Sequence, residues 1–254
     1  TTECDIAKYM FTKLEGNFVC CNINKKRWYV YIKNVWTLEK ICSTLRSRIS
    51  SDIPTQLDIL IKKYCKLLNE MADNDSRKKS LEEDKKRCYA LRNKCRQTTF
   101  KNNVMRELAE LCEDVKFEES LDSIDSIIGL RNGIFDFKEG KFREGRPSDR
   151  VSKQMNARYL HKYNYNHPSV KKIEKFLRQL HPDKKLFEFF MHTTCNILIG
   201  GNFNKRILFW TGNGDNGKSQ VQNLIQSLLG NGTYCVTFPT TLFTSKKPPN
   251  GSAL

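Results

Sequence analysis

The chain has 254 residues, 39% of them hydrophobic, enough length for one or two domains with a real core. Its apolar residues never run long enough for a spanning helix, and no signal-peptide pattern is seen at the start, so neither a membrane segment nor a secreted protein is expected. Lys plus Arg total 44 against 28 Asp plus Glu, a net charge of +16 that points to a polyanionic partner.

The chain opens at Thr1, which suggests a piece of a longer polypeptide or a processed product. Residues 17–33 alternate like strands: Phe18-Val19-Cys20-Cys21, a polar turn from Asn22 to Lys26, then Trp28-Tyr29-Val30-Tyr31-Ile32. This predicts a β-hairpin, followed by Trp36 and Leu38. Its aromatics could stack bases, but hairpin aromatics more often pack a small core. From about 38 to 115 the pattern turns helical. Leu57, Leu60, Ile61, Tyr64, Leu67 and Leu68 mark one helix behind Pro54 near its start. Leu81, Cys88, Leu91 and Cys95 mark a second, and Val104, Leu108, Leu111 and Cys112 a third. Asp73-Asn74-Asp75-Ser76 reads as the loop between the first two.

The basic residues crowd one stretch, with Arg77-Lys78-Lys79, Lys85-Lys86-Arg87, Arg92, Lys94 and Arg96 broken only by Glu82-Glu83-Asp84. Lys85, Lys86 and Arg87 are the candidate nucleic-acid contacts; the alternative is a solvated helix face. The ten cysteines show no C-x-x-C and no paired histidines, so zinc spacing is missing. They are expected to be small buried hydrophobes in a reducing, intracellular compartment. His161, His167, His181 and His192 offer no metal or acid–base pairing and read as surface or capping residues.

Residues 127–143 form a second β patch. Ile127-Ile128-Gly129-Leu130 leads through the turn signal Asn132-Gly133 into Ile134-Phe135-Asp136-Phe137, and Lys138-Glu139-Gly140 turns again into Lys141-Phe142-Arg143. The polar stretch from Tyr163 to Pro168 is the expected domain boundary. Val170, Ile173, Phe176, Leu177 and Leu180 then draw a helix, His181-Pro182-Asp183 breaks it, and Leu186 to Leu198 makes another.

Gly212-Asn213-Gly214-Asp215-Asn216-Gly217-Lys218-Ser219 fits the phosphate-binding loop G-x-x-x-x-G-K-[ST] at every fixed position. Before it, Arg206 to Trp210 reads as a buried parallel strand. After it, Val221, Leu224, Ile225, Leu228 and Leu229 draw an amphipathic helix with Gly230 at its C-terminal cap. Residues Gly212 to Gln220 are the candidate ATP site: the amides of Gly214 to Lys218 cradle the phosphates, Lys218 reaches the β/γ-phosphates and Ser219 ligates Mg²⁺. Lys218 is thus the candidate catalytic residue. Gly212, Gly214 and Gly217 are expected to supply positive φ and close approach.

The loop in its G-x-G-x-N-G-K-S form resembles that of superfamily-3 helicases in the viral and phage primase-helicase branch, and the helical lead-in 173–201 is similar to theirs. Arg131 to Phe137 with Gly140 to Arg143 resembles the poxvirus-type domain between primase and helicase, and Arg27 to Val30 with Trp36 resembles its start. The resemblance spans about 20 to 254. It implies an α+β linker domain over 1–165, mostly helical with β-hairpins, followed over 166–254 by the start of an α/β P-loop AAA+ domain. It also implies a replicative DNA helicase of a large DNA virus, working as a homo-hexamer on single-stranded or forked DNA with other viral replication proteins, in the host cytoplasm or wherever the genome is replicated.

No primase carboxylate cluster precedes residue 20. The acidic Walker B strand, sensor and arginine finger are expected beyond Leu254; Thr240-Thr241-Leu242 and Lys246-Lys247-Pro248-Pro249 lead toward them. This fragment is therefore expected to bind nucleotide weakly and to hydrolyse it poorly. Two other readings are a non-catalytic DNA-binding or ring-assembly module and a small P-loop kinase, whose lid and acidic metal site the sequence does not supply.

Overall fold

The computed structural model describes residues 2–239 apart from 15, 73–74, 202–204, 213 and 231, so the expectations for Asp73, Asn74, Asn213 and residues 240–254 lie outside the described residues. The chain divides into two compact units, residues 1–32 with 37–120, and residues 33–36 with 121–254.

The first unit opens with α1 (Glu3–Leu14), a helix that the sequence pattern does not announce. Ile6, Ala7, Met10 and Leu14 form its buried face, but exposed Tyr9 and Phe11 between them blur the period. The expected hairpin follows as β1 (Phe18–Asn22) and β2 (Arg27–Ile32), antiparallel with Phe18 opposite Val30 and Cys20 opposite Trp28. These four residues alternate inward and are buried. A third strand, β3 (Val35–Lys40), carries Trp36 and Leu38 and completes the sheet in the order β1-β2-β3.

Helix α2 (Ser43–Glu70) starts eleven residues before Pro54, not just ahead of it as expected. A proline inside a helix removes one hydrogen bond and costs roughly 3 kcal/mol. Leu45, Ile49, Ile53, Leu57 and Ile61 all bury at a spacing of four and offset that loss, at about 1.5–3 kcal/mol each. Glu39 caps the start, accepting hydrogen bonds from the Thr44 amide (2.8 Å) and the Ser43 hydroxyl (2.6 Å). Helix α3 (Lys78–Lys94) packs along α2 without burying a single residue, tied near its end by Arg92 to Asp58 at 2.7 Å. Helix α4 (Thr98–Leu111) packs on α1 through Phe100, Val104 and Leu108, and the Cys20 amide donates to the Cys112 carbonyl at 2.9 Å, pinning β1 beside its end. The short α5 (Phe117–Ser120) buries Phe117 against the Tyr29 ring.

Trp28 and Trp36 are 2% and 3% exposed, so the hairpin tryptophans are core, as the sequence favoured. All ten cysteines are free thiols, and Cys20, Cys21, Cys42, Cys95 and Cys112 are buried. Burial pushes the Cys42 and Cys112 thiols up to about 12.

In the second unit β4 (Ile127–Leu130), β5 (Gly133–Asp136) and β6 (Lys141–Arg143) form the expected antiparallel meander, Ile128 opposite Phe135 and Phe135 opposite Phe142. Gly129 is required by close packing: a Cβ there would lie 2.3 Å from the Lys153 carbonyl. The Tyr234 hydroxyl accepts from the Gly129 amide (3.1 Å) and donates to that same carbonyl (2.9 Å). Ile128, Leu130, Met155 and Leu229 centre this core. Then come α6 (Pro168–Leu180), capped by His167, and α7 (Lys184–Asn196), capped by Asp183. The break falls at 181–183 as read from sequence, and α8 (Lys218–Leu229) closes the described elements.

Candidate nucleotide site

The helix expected after the glycine-rich segment is present as α8; the strand expected before that segment is absent among the described residues. Residues 206–210 pair with no strand among the described residues, and Ile207 and Phe209 are 79% and 83% exposed. A buried parallel strand needs a hydrogen-bonded neighbour, and none of the described strands runs beside this segment. Trp210 does find company, its ring 6.0 Å from Phe190 of α7.

Gly217 is the N-cap of α8 with φ 76°, so the chain enters the helix through a left-handed residue that favours glycine. A Cβ there would also sit 2.5 Å from Leu180. Gly212 has φ 153°, and a Cβ on it would meet the Asn216 amide nitrogen at 2.2 Å. Gly214 departs from the expectation: its φ is not positive and a Cβ would meet open space, while Asp215 takes the left-handed turn at φ 57°. An aspartate tolerates that conformation because its short side chain bonds locally.

The Lys218 ammonium folds back over the loop, donating to the Gly212 carbonyl at 3.1 Å and the Asn216 side-chain oxygen at 2.7 Å. Ser219 and Gln220 are exposed in the first turn of α8, which has no side-chain cap. Val221, Ile225 and Leu229 hold the helix down along one face, and Leu224 and Leu228 stay exposed. The residues present fit a phosphate group: a closed turn of small residues, a cation across it and uncapped amides behind. A separate cleft of about 600 Å³ is lined by Asp122, Asp125, His192, Asn196, Arg206 and Tyr234 among others, and none of the described residues of 212–220 lines it.

Residues 7–195 match the family described as D5 N terminal like. The chain belongs to that family. Its relatives include proteins bearing the name "putative helicase" from three large DNA viruses. The one from Acanthamoeba polyphaga mimivirus is 29% identical over 98% of this chain and 25% of its own length. Those of invertebrate iridescent virus 3 and frog virus 3 are 27% and 26% identical over 98% and 99% of this chain, and 28% and 35% of their own lengths. The chain thus spans a quarter to about a third of the length of these three relatives. Among the described residues no helix is long and apolar enough to cross a membrane, and no group of His, Cys, Asp or Glu is placed to hold a metal.

The basic cluster of this D5 N-terminal-like chain is not one patch. Consecutive helical residues point about 100° apart. Lys85 lies half-buried; Lys86 and Arg87 are exposed, and Arg87 is within 3.3 Å of Asp84 and 4.0 Å of Glu83. The larger excess of charge lies elsewhere: the second unit holds 21 Lys and Arg against 10 Asp and Glu, the first 23 against 18. That unit also carries a run, Tyr159, His161, Tyr163 and Tyr165, with aromatic rings at every second position beside Arg158 and Lys162. The alternation was visible, but the polar residues around it read as a boundary.

Proposed function

We propose that this chain is the part of a viral replicative DNA helicase that carries the ATP-binding loop and the domain leading into it. The observation that supports this most is the arrangement at 212–219, where a left-handed Gly217 opens α8 and the Lys218 ammonium lies across the loop. On this reading residues 1–165 are the linker domain and 166–254 the start of a superfamily-3 AAA+ motor that assembles as a homo-hexamer. The amides of 214–218 surround the phosphates, Lys218 neutralises the β/γ oxygens and Ser219 holds Mg²⁺, which screens phosphate charge when bound.

The exposed apolar segment Ile207 to Trp210 favours a second reading of the isolated chain: a DNA-binding or ring-assembly module whose nucleotide site is incomplete. Both readings predict nucleotide binding without efficient turnover. Titration with a fluorescent ATP analogue, with and without Mg²⁺, checks the first part. ATP turnover by this chain alone that Lys218→Ala abolishes would show a complete site and remove the second reading. No analogue binding by the wild-type chain would remove both.

A further inference from the structure

We infer that the segment from Arg158 to Tyr165, beside Lys141 and Phe142 of β6, is a contact surface for single-stranded DNA; the inference rests on the helicase reading above. Tyr159 stacks on Phe142 with ring centroids 4.5 Å apart and planes 7° from parallel, and His161 sets its edge against both rings. That half is a small aromatic core facing the sheet. The other half buries nothing. Tyr163 and Tyr165 meet edge to face at 4.6 Å yet are 52% and 77% exposed.

Single exposed rings are ordinary, but an exposed pair continuing a stacked cluster is a platform. The cations beside it choose its partner. Lys141, Arg158 and Lys162 are exposed and form no ion pair among the described residues, in the unit with the larger charge excess. Free cations beside open rings fit a strand whose phosphates and unpaired bases are both accessible. Duplex DNA hides its base faces, and a protein partner would leave these charges unmatched.

The test is binding of a fluorescent oligo-dT to the whole chain across a salt series. Tyr163→Ala with Tyr165→Ala should weaken binding about five- to a hundredfold, the range for a lost base–ring stack, while the double Phe variant should bind like wild type. Lys162→Ala should lower the salt slope by about 0.7, one phosphate contact. An unchanged thermal midpoint separates loss of the surface from loss of the fold, and both tyrosines are exposed enough to expect one.

Equal affinity of the Ala pair and wild type would overturn the inference. So would equal loss in the Ala and Phe pairs, or an Ala pair that alters only the oligomeric state. A wild-type chain that ignores oligo-dT even at low salt would instead overturn the DNA-helicase reading beneath it.

Discussion

Arg143 holds Asp149 by a two-pronged ion pair, its two terminal nitrogens each 2.8 Å from one carboxylate oxygen. Asp149 is 7% exposed and also accepts the Arg146 amide at 2.7 Å, while Asp136 approaches one of the same Arg143 nitrogens at 3.5 Å. The pair fastens the turn after β6 to the meander. Burial alone would raise the Asp149 carboxyl, but the bonds from Arg143 and Arg146 outweigh it and hold the group below its usual value. A depressed carboxylate stabilises the fold above its unfolded pKa, near 4, and that share is lost as pH falls through the lower folded value. Asp149→Asn should therefore cost about 1.5–3 kcal/mol at pH 7 and leave a smaller further loss between pH 4 and 2 than in wild type. Thermal melts at both ends of that range decide it; parallel losses would mean that the pair contributes nothing.

The loop makes a second, separable prediction. Lys218→Ala removes the cation facing the phosphates and should weaken ATP-analogue binding at least tenfold with a smaller change in melting, because the half-buried side chain bonds within its own loop, to Gly212 and Asn216. Gly217→Ala forces a Cβ into a left-handed cap against Leu180 and should cost about 1–2 kcal/mol of stability as well as affinity. Equal effects of the two variants on melting would deny the split.

How far the sequence reached depends on where the information sits. The meander at 127–143 was legible because its turns are local: Asn132-Gly133 and Lys138-Glu139-Gly140 fix both hairpins without help from distant chain. The start of α2 was not, because Pro54 reads as a beginning until a buried stripe on both sides of it outweighs the lost bond. The strand at 206–210 failed for the opposite reason. Its apolar run states what the residues prefer, but a strand exists only with neighbours, which no local pattern supplies. In the candidate site, Gly217 takes the positive φ expected of it, while the second left-handed turn fell on Asp215 and not Gly214.

Ile41 yields a prediction about strain. It and Cys42 are consecutive left-handed residues, φ 71° and 48°, where the chain turns from β3 into α2. A β-branched side chain in that region is a genuine outlier, at a cost of about 1–2 kcal/mol, and at 63% exposure Ile41 recovers little by burial. Ile41→Asn keeps the turn with a residue that tolerates it, and should raise the denaturation midpoint by the equivalent of about 1 kcal/mol. Destabilisation instead would mean that the isoleucine packs better in solution than its exposure implies.

The cysteines should label in a fixed order. Cys195 is exposed on α7, whereas Cys42 and Cys112 are buried with thiols pushed up to about 12, leaving about one part in ten thousand as thiolate at pH 8. Pulsed alkylation read by mass spectrometry should modify Cys195 long before either, and denaturant should abolish the difference. Early labelling at Cys112 would show the end of α4 opening on the timescale of the pulse.

Helix α3 decides between the two basic surfaces. If its cluster touches phosphate, the three adjacent cations cannot contribute alike. Lys85 is half-buried along α2, and Arg87 is already matched by Glu83 and Asp84, so ordering it on a phosphate must first break those pairs. Lys86 alone is exposed without an ion partner among the described residues. Lys86→Ala should then lower the oligo-dT salt slope by about 0.7, with Arg87→Ala well below that, since releasing a neutralised charge displaces fewer counterions. A triple Lys85, Lys86, Arg87→Ala variant with an unchanged slope would take α3 off the DNA path. Binding would then rest on the second unit, where Lys162→Ala should move the slope and α3 should not.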